Sequence, residues 1–223
     1  MINHLTSGVI AVVITVITFF LLEWAHKDTQ YVSKLPVSEP SVVAEDSVVA
    51  EDDTQFIESI QQVLLEPDIY NDTQEQFVNS LDQCIDFVYQ DVAEEYQLPK
   101  ELIVAQAILE SGWGQSRFAE VGNNLFGIRT FDKSENWMLP KTMKHWKGWG
   151  VKVYPTKCSS VRDYVRIINE VWAYEELRDA RDNNPNISAV ELAVYLDKFS
   201  TNPKYTKLVI NIIKTKLGKY DLS

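Results

Sequence analysis

The stretch Leu98-Pro99-Lys100-Glu101 followed by Leu102 to Leu109 constrains this chain most. Leu102, Ile103, Ala105, Ala107, Ile108 and Leu109 make a helix that is apolar nearly all round, and such a helix has to be wrapped by other elements. Pro99 suits its start, where a missing N–H costs nothing, and Glu101 sits near the positive end of its dipole. Gly112 can supply the left-handed turn that ends it. That leaves Glu110 in the last turn, in Glu110-Ser111-Gly112-Trp113-Gly114, beside a cleft. Apolar neighbours, the Trp113 indole and the negative end of the helix dipole all disfavour a charge there and raise the carboxyl pKa. A carboxyl that stays protonated near neutral pH can hand its proton to a leaving oxygen, as glycoside cleavage requires. Glu110 is the candidate catalytic acid.

The periodicity predicts further helices around this one. Phe77, Leu81, Ile85, Val88 and Val92 recur at helical spacing over 77–96, and helical patterns return over 161–178, 188–196 and 203–217. Ser188 and Glu191 have the spacing of a capping box. Residues 123–155 differ: turn-forming Asp132 to Asn136 and Lys147 to Gly150 surround short alternating pieces such as Val151 to Tyr154, which predicts a small antiparallel hairpin or β-lobe. The expected class is α+β, mostly α-helical. Trp137, Trp146 and Trp149 fall in the lobe, either as sugar-stacking faces or as its own core. Tyr154 and Tyr164 are expected to pack behind the hairpin.

Three segments are distinguishable. Residues 1–22 lack Asp, Glu, Lys and Arg, and Gly8 to Leu22 is an unbroken run of apolar residues and Thr. Residues 5–24 have about the length of a membrane-crossing helix. No Lys or Arg precedes the run and no small-x-small site comes after it, which favours an uncleaved transmembrane anchor over 1–27 rather than a removed signal. Residues 28–54 read as a tether: two prolines, seven acidic residues against Lys34 alone, and the hexad Ser41 to Asp46 repeated at Ser47 to Asp52. Residues 55–223 are long enough for one domain with a real core.

A formal charge of −11 argues against nucleic acid as a partner. Lysines concentrate over 141–157 and 198–219, as solvated faces or as a surface for anionic polymer. Nothing has the spacing of metal ligands, and no cofactor is expected. Cys84 and Cys158 are the only cysteines. They form a disulfide in an oxidising compartment only if the fold brings them together, which spacing does not decide.

Glu110-Ser111-Gly112-Trp113-Gly114-Gln115-Ser116, Phe118-Ala119 and Gly122-Asn123-Asn124-Leu125-Phe126-Gly127-Ile128 together resemble the bacterial peptidoglycan glucosaminidases of glycoside hydrolase family 73. Val153-Tyr154, Ser160 to Tyr164 and Ala173 to Arg178 extend the likeness toward the Bax-like subgroup, over about residues 75–217. The resemblance implies a lysozyme-like fold with a cleft between helical core and β-lobe. It also implies cleavage of peptidoglycan strands on the reducing side of GlcNAc, outside the cytoplasmic membrane. Glu110 would be the general acid. Substrate-binding positions would be Ser111, Trp113, Asn124, Phe126, Gly127 and Trp146, where Ser111 also orients, Trp113 is a desolvating wall or plain core, and Asn124 holds the cleft floor or bonds a sugar.

A second catalytic group is harder to place. The segment 138–148 contains no carboxylate where several members of the wider family have one, and Asp132, Glu135 and Glu120 lie off the matching position. The other route is attack by the 2-acetamido group of GlcNAc itself, with a nearby hydroxyl orienting it. The resemblance points to Tyr205 in Asn202-Pro203-Lys204-Tyr205 for that hydroxyl, a residue that otherwise packs the last helix. Alternative readings are a lysozyme or lytic transglycosylase cutting after MurNAc, and a weakly active wall-binding scaffold.

Overall fold

The computed structural model describes residue 63 and residues 65–222. The expected anchor over 1–27 and the tether over 28–54 lie outside the described residues. Among the described residues no helix is long and apolar enough to cross a membrane.

Helix α1 (Gln74–Tyr89) starts earlier than the apolar stripe alone suggests, because the Thr73 side chain accepts from Gln76 N. It also ends earlier, at Tyr89 rather than Tyr96. The Gln97 amide donates to the Tyr89 and Val92 carbonyls at 3.4 and 2.9 Å, and the chain leaves through a short 3₁₀ turn at Glu94–Tyr96. Phe77, Leu81, Ile85 and Val88 face inward and are fully buried, so the stripe does what its spacing implies.

Helix α2 (Lys100–Ser111) begins after Pro99, and every residue from Leu102 to Ile108 is buried. It is the central helix. Around it pack α1, then α6 (Ala189–Leu192), α7 (Tyr205–Ile212) and the π turn Ile213–Leu217 that extends α7. Lys100 pairs with Asp82 at 3.0 Å and Asp86 at 2.6 Å, tying the start of α2 to α1. Gly112 ends the helix in the left-handed region at φ 59°, as its position predicts.

Helix α3 (Arg117–Gly122) leads into the lobe. Three short strands, β1 (Arg129–Thr130), β2 (Trp137–Met138) and β3 (Gly150–Lys152), form an antiparallel sheet in the order β1-β3-β2. The lobe is therefore not a simple hairpin, since the last strand lies between the first two. Gly150 permits it: a Cβ there would stand 2.9 Å from Trp137 Cβ and 3.0 Å from Trp146 Cζ3.

The single helix expected over 161–178 is two, α4 (Lys157–Glu170) and α5 (Glu175–Asn183), separated by a 3₁₀ turn at Trp172–Tyr174. Val171 is extended at the break, and Arg178 donates to the carbonyls of Ile168 and Val171 at 2.9 and 2.8 Å. A distant guanidinium thus replaces the helical partners that periodicity assumed. The Ser188–Glu191 capping box forms as expected. Cys84 on α1 and Cys158 on α4 meet in a disulfide, with Cα atoms 5.7 Å apart.

Candidate active site

Glu110 occupies the last turn of α2 and is half-buried. Burial pushes its carboxyl above the usual range, and the neighbouring Tyr205 hydroxyl partly opposes that rise. The expected upward shift is present, with desolvation as its main cause. Tyr205, the first residue of α7, is 3 % exposed. Burial, and then the charge of Glu110, raise the pKa of its hydroxyl, so it acts as a donor and not as a phenolate.

Beyond Ser111 the backbone turns back on itself. Gly112, Trp113 and Gly114 have φ of 59°, 64° and 78°, three successive residues in the left-handed region. Glycine enters that region freely, whereas a tryptophan there is strained. Ser111 pins the turn. Its hydroxyl donates to the Ala107 carbonyl at 2.5 Å and accepts from Gly114 N at 2.7 Å, and its carbonyl accepts from Ser116 N at 2.7 Å. Ser111 is fully buried, so its role here is orientation, and its hydroxyl is committed within the chain. The Trp113 ring lies half-buried, edge-on to Phe77 with centroids 6.2 Å apart.

The segment after α3 brings backbone up to the carboxyl. Gly127, exposed and at φ 66°, is so close that a Cβ on it would lie 3.9 Å from Glu110 Oε2. Asn124 holds this segment. Its Oδ1 accepts from Phe126 N and Ile128 N at 3.2 and 3.1 Å, and its Nδ2 donates to the carbonyls of Ile128 and Lys152 at 2.9 and 2.8 Å. With four bonds made and 1 % exposure, Asn124 is a strut between the segment and β3. Phe126 is also buried and stacks on Tyr164 with centroids 4.2 Å apart.

The structure thus brings Glu110, Tyr205 and Gly127 together and sets Ser111, Asn124 and Phe126 behind them as support. Trp146 lies in the lobe, tilted on Trp137 at 4.8 Å. Trp149 carries Arg129 over its ring at 4.0 Å. Of the three carboxylates in and around the lobe, Asp132 accepts from Ser134 N and Oγ, Glu135 pairs with Lys152 at 2.9 Å, and Glu120 is exposed on α3.

Two further residues reach this site. Gln106, one turn before Glu110, is fully buried and donates from Nε2 to the Tyr205 hydroxyl at 2.9 Å. Tyr164, also fully buried, donates its hydroxyl to Gln106 Oε1. A lone amide inside an apolar run was the signal available for Gln106, because a buried polar group needs partners.

A carboxyl whose pKa is raised at a helix end, a phenol beside it and bare backbone in front are the groups that a general acid in glycoside cleavage calls for. The model for mannosyl-glycoprotein endo-β-N-acetylglucosaminidases matches residues 87–217, more than half of the chain. The chain belongs to this glucosaminidase family of glycoside hydrolases.

Its relatives include peptidoglycan hydrolase FlgJ of Escherichia coli (strain K12), 29% identical over 136 residues, which cover 55% of this chain and 41% of FlgJ. Exo-glucosaminidase LytG of Bacillus subtilis (strain 168) is 27% identical over 159 residues, covering 68% and 53%. Among solved structures, a C-terminally truncated glycoside hydrolase domain from Salmonella typhimurium FlgJ aligns at 25% identity over 64% of this chain and 96% of that one, with TM-score 0.46. The chain spans about two fifths of the length of FlgJ and about half that of LytG.

Proposed function

We propose that this protein is an endo-β-N-acetylglucosaminidase that cleaves peptidoglycan strands on the reducing side of GlcNAc, with Glu110 as general acid. The observation that carries this reading is the Glu110 carboxyl itself, desolvated at the end of α2, with the Tyr205 hydroxyl beside it and Gly127 facing it. The names of the FlgJ and LytG relatives support the polymer and the sugar.

The mechanism we favour is substrate-assisted. Protonated Glu110 gives its proton to the glycosidic oxygen as the bond to the anomeric carbon breaks, and the carbonyl oxygen of the 2-acetamido group attacks that carbon to form a cyclic oxazolinium ion. Water then adds at the anomeric carbon, loses a proton to the Glu110 carboxylate, and the ring opens to GlcNAc. Tyr205 would turn its proton to the acetamido group during the first step. The internal commitments of Asp132 and Glu135 favour this route over a carboxylate nucleophile.

The protein would work outside the cytoplasmic membrane, held by residues 5–24 and reaching the wall through the tether. The Cys84–Cys158 disulfide fits an oxidising compartment.

The test uses the full-length protein in detergent, wild type and Glu110→Gln, on purified peptidoglycan whose products are reduced with borohydride and identified by mass spectrometry. Reduced GlcNAc from the wild type alone is expected. Reduced or anhydro MurNAc would replace this reading with a lysozyme or lytic transglycosylase, and no product from either form would leave a wall-binding role.

A further inference from the structure

Glu110 and Tyr205 do not stand alone, because two hydrogen bonds in a line run back from the Tyr205 hydroxyl into the core. Tyr164 on α4 donates to Gln106 Oε1, Gln106 Nε2 donates to the Tyr205 hydroxyl at 2.9 Å, and that hydroxyl lies beside the Glu110 carboxyl and favours its charged form. A phenol has one proton to give, and a side-chain amide has a donor end and an acceptor end. The direction of each bond therefore constrains the next. Tyr164 stacks flat on Phe126 and is sealed from solvent, with the Phe199 ring centroid 6.0 Å from its own. Its donation to Oε1 fixes which end of the amide points forward. The Nε2 end then occupies the acceptor side of the Tyr205 oxygen, so the one Tyr205 proton can only leave toward the cleft.

We propose that Gln106 is a positioning residue which, oriented by Tyr164, makes Tyr205 an obligate proton donor toward Glu110 and the cleft. The inference rests on Glu110 being the acid of the proposed reaction. A fully buried polar pair whose hydrogen bonds lead to a candidate acid has a directional consequence that plain packing would not need. A leucine and a phenylalanine would fill the same space. Bonds arranged head to tail also polarise one another, which strengthens the terminal one.

Among the described residues no other charged side chain supplies this control. The groups facing Glu110 are the Tyr205 phenol from α7 and the backbone of Gly127, and those facing Tyr205 are Glu110, Gln106 and Tyr164. Tyr174 and Tyr89 lie near Tyr164 as neutral phenols. Lys100, Asp82 and Asp86 gather at the opposite end of α2, about 15 Å along its axis at 1.5 Å per residue. On α6, Glu191 is exposed and bonded to Ser188, and Lys214 and Lys216 of the π turn are exposed.

With Gln106 gone, the Tyr205 oxygen becomes free to accept the proton of the Glu110 acid. That stabilises the protonated carboxyl and raises its pKa. The test compares full-length wild type, Gln106→Met, Tyr164→Phe and the double variant in two measurements. The first is titration of the Glu110 side-chain carbon by NMR in the resting protein, assigned by its loss in Glu110→Gln, which needs no activity. The second is the pH profile of peptidoglycan cleavage.

Gln106→Met should move the Glu110 titration upward, carry the alkaline limb of kcat/KM with it, and lower kcat about ten- to a hundredfold with little change in KM. Tyr164→Phe should shift both in the same direction by less. The double variant should shift no further than Gln106→Met, because Tyr164 acts through Gln106. A folded Gln106→Met protein with the wild-type titration would overturn the proposal, as would additive shifts in the double variant. A wild type that cleaves nothing while these titrations behave as stated would reject the glycosidase reading and leave the hydrogen-bond line intact.

Discussion

The Tyr205 hydroxyl lies beside the Glu110 carboxyl and favours its charged form, so the first residue of the last helix meets the last turn of the central one at a titrating group. This pairing lowers a pKa that burial raises. Tyr205→Phe removes the lowering influence. Its pH–rate profile should therefore extend to higher pH while its maximum falls, by about 10- to 100-fold if the hydroxyl also orients the substrate. A lower maximum with an unmoved alkaline limb would mean that the phenol contributes shape alone.

Glu110 itself should trade stability for function. Its pKa is raised in the fold, so the native protein retains a proton that the unfolded chain loses at about pH 4.3. By linkage, stability from this group is fully present below the unfolded value and lost as pH climbs through the folded one. Glu110→Gln has no such titration. At pH 7 it should melt above wild type, and at pH 4 the two should coincide, while cleavage drops by about 10²–10⁴-fold. Thermal unfolding at the two pH values decides it, and a wild type more stable at neutral pH would contradict a desolvated carboxyl.

Gly127 is needed for two separable reasons. Its φ of 66° disfavours any side chain, at about 1–2 kcal/mol, and a Cβ would come to 3.9 Å from Glu110 Oε2. Gly127→Ala should lose that much stability in urea and, in addition, more than about tenfold in kcat/KM because a methyl group stands beside the acid. Unchanged kinetics in the folded variant would place the approaching sugar on another side of the carboxyl.

Much of this site was legible because its determinants are local. The helix over Lys100–Ser111, its stop at Gly112, the placement of Glu110 and the Ser188–Glu191 cap all derive from residues within a few positions of one another. The contact between Tyr205 and Glu110 was reachable only through family resemblance, since nothing within α7 reports what its first residue touches. Gln106 could have been suspected as the one amide in an apolar run, but its partners on α4 and α7 are set by packing. The break at Val171 escaped for the same reason: Arg178 supplies bonds that no window of hydropathy contains. Ser111 and Asn124 were recognised as part of the motif, yet only their saturated hydrogen bonds show that they hold the backbone.

Ser111 gives a prediction of its own. Its hydroxyl is the acceptor for Gly114 N in a turn with three left-handed residues, one of them Trp113. Ser111→Ala leaves that N–H without its partner at a cost of about 1–3 kcal/mol. The loss should appear as faster hydrogen exchange at the Gly114 amide, with a fall in kcat because the turn fixes the end of the helix that presents Glu110. Equal exchange in variant and wild type would mean that the glycines alone hold the turn.

The Cys84–Cys158 bridge closes a sequence separation of 74 residues between α1 and α4. A loop of that length constrains the unfolded chain enough to stabilise the fold by about 4.5 kcal/mol on the chain-entropy model. Replacing both cysteines by serine, or reducing the wild type, should therefore move the urea midpoint sharply downward. The link does not include α2 or α7, so the contact between Glu110 and Tyr205 survives in whatever fraction remains folded. Cleavage measured well below the melting temperature should accordingly stay close to wild type, while its thermal inactivation comes earlier. A double serine variant with an unchanged midpoint would show that the bridge adds nothing to the mature protein, and would remove one support for a site of action outside the cytoplasm.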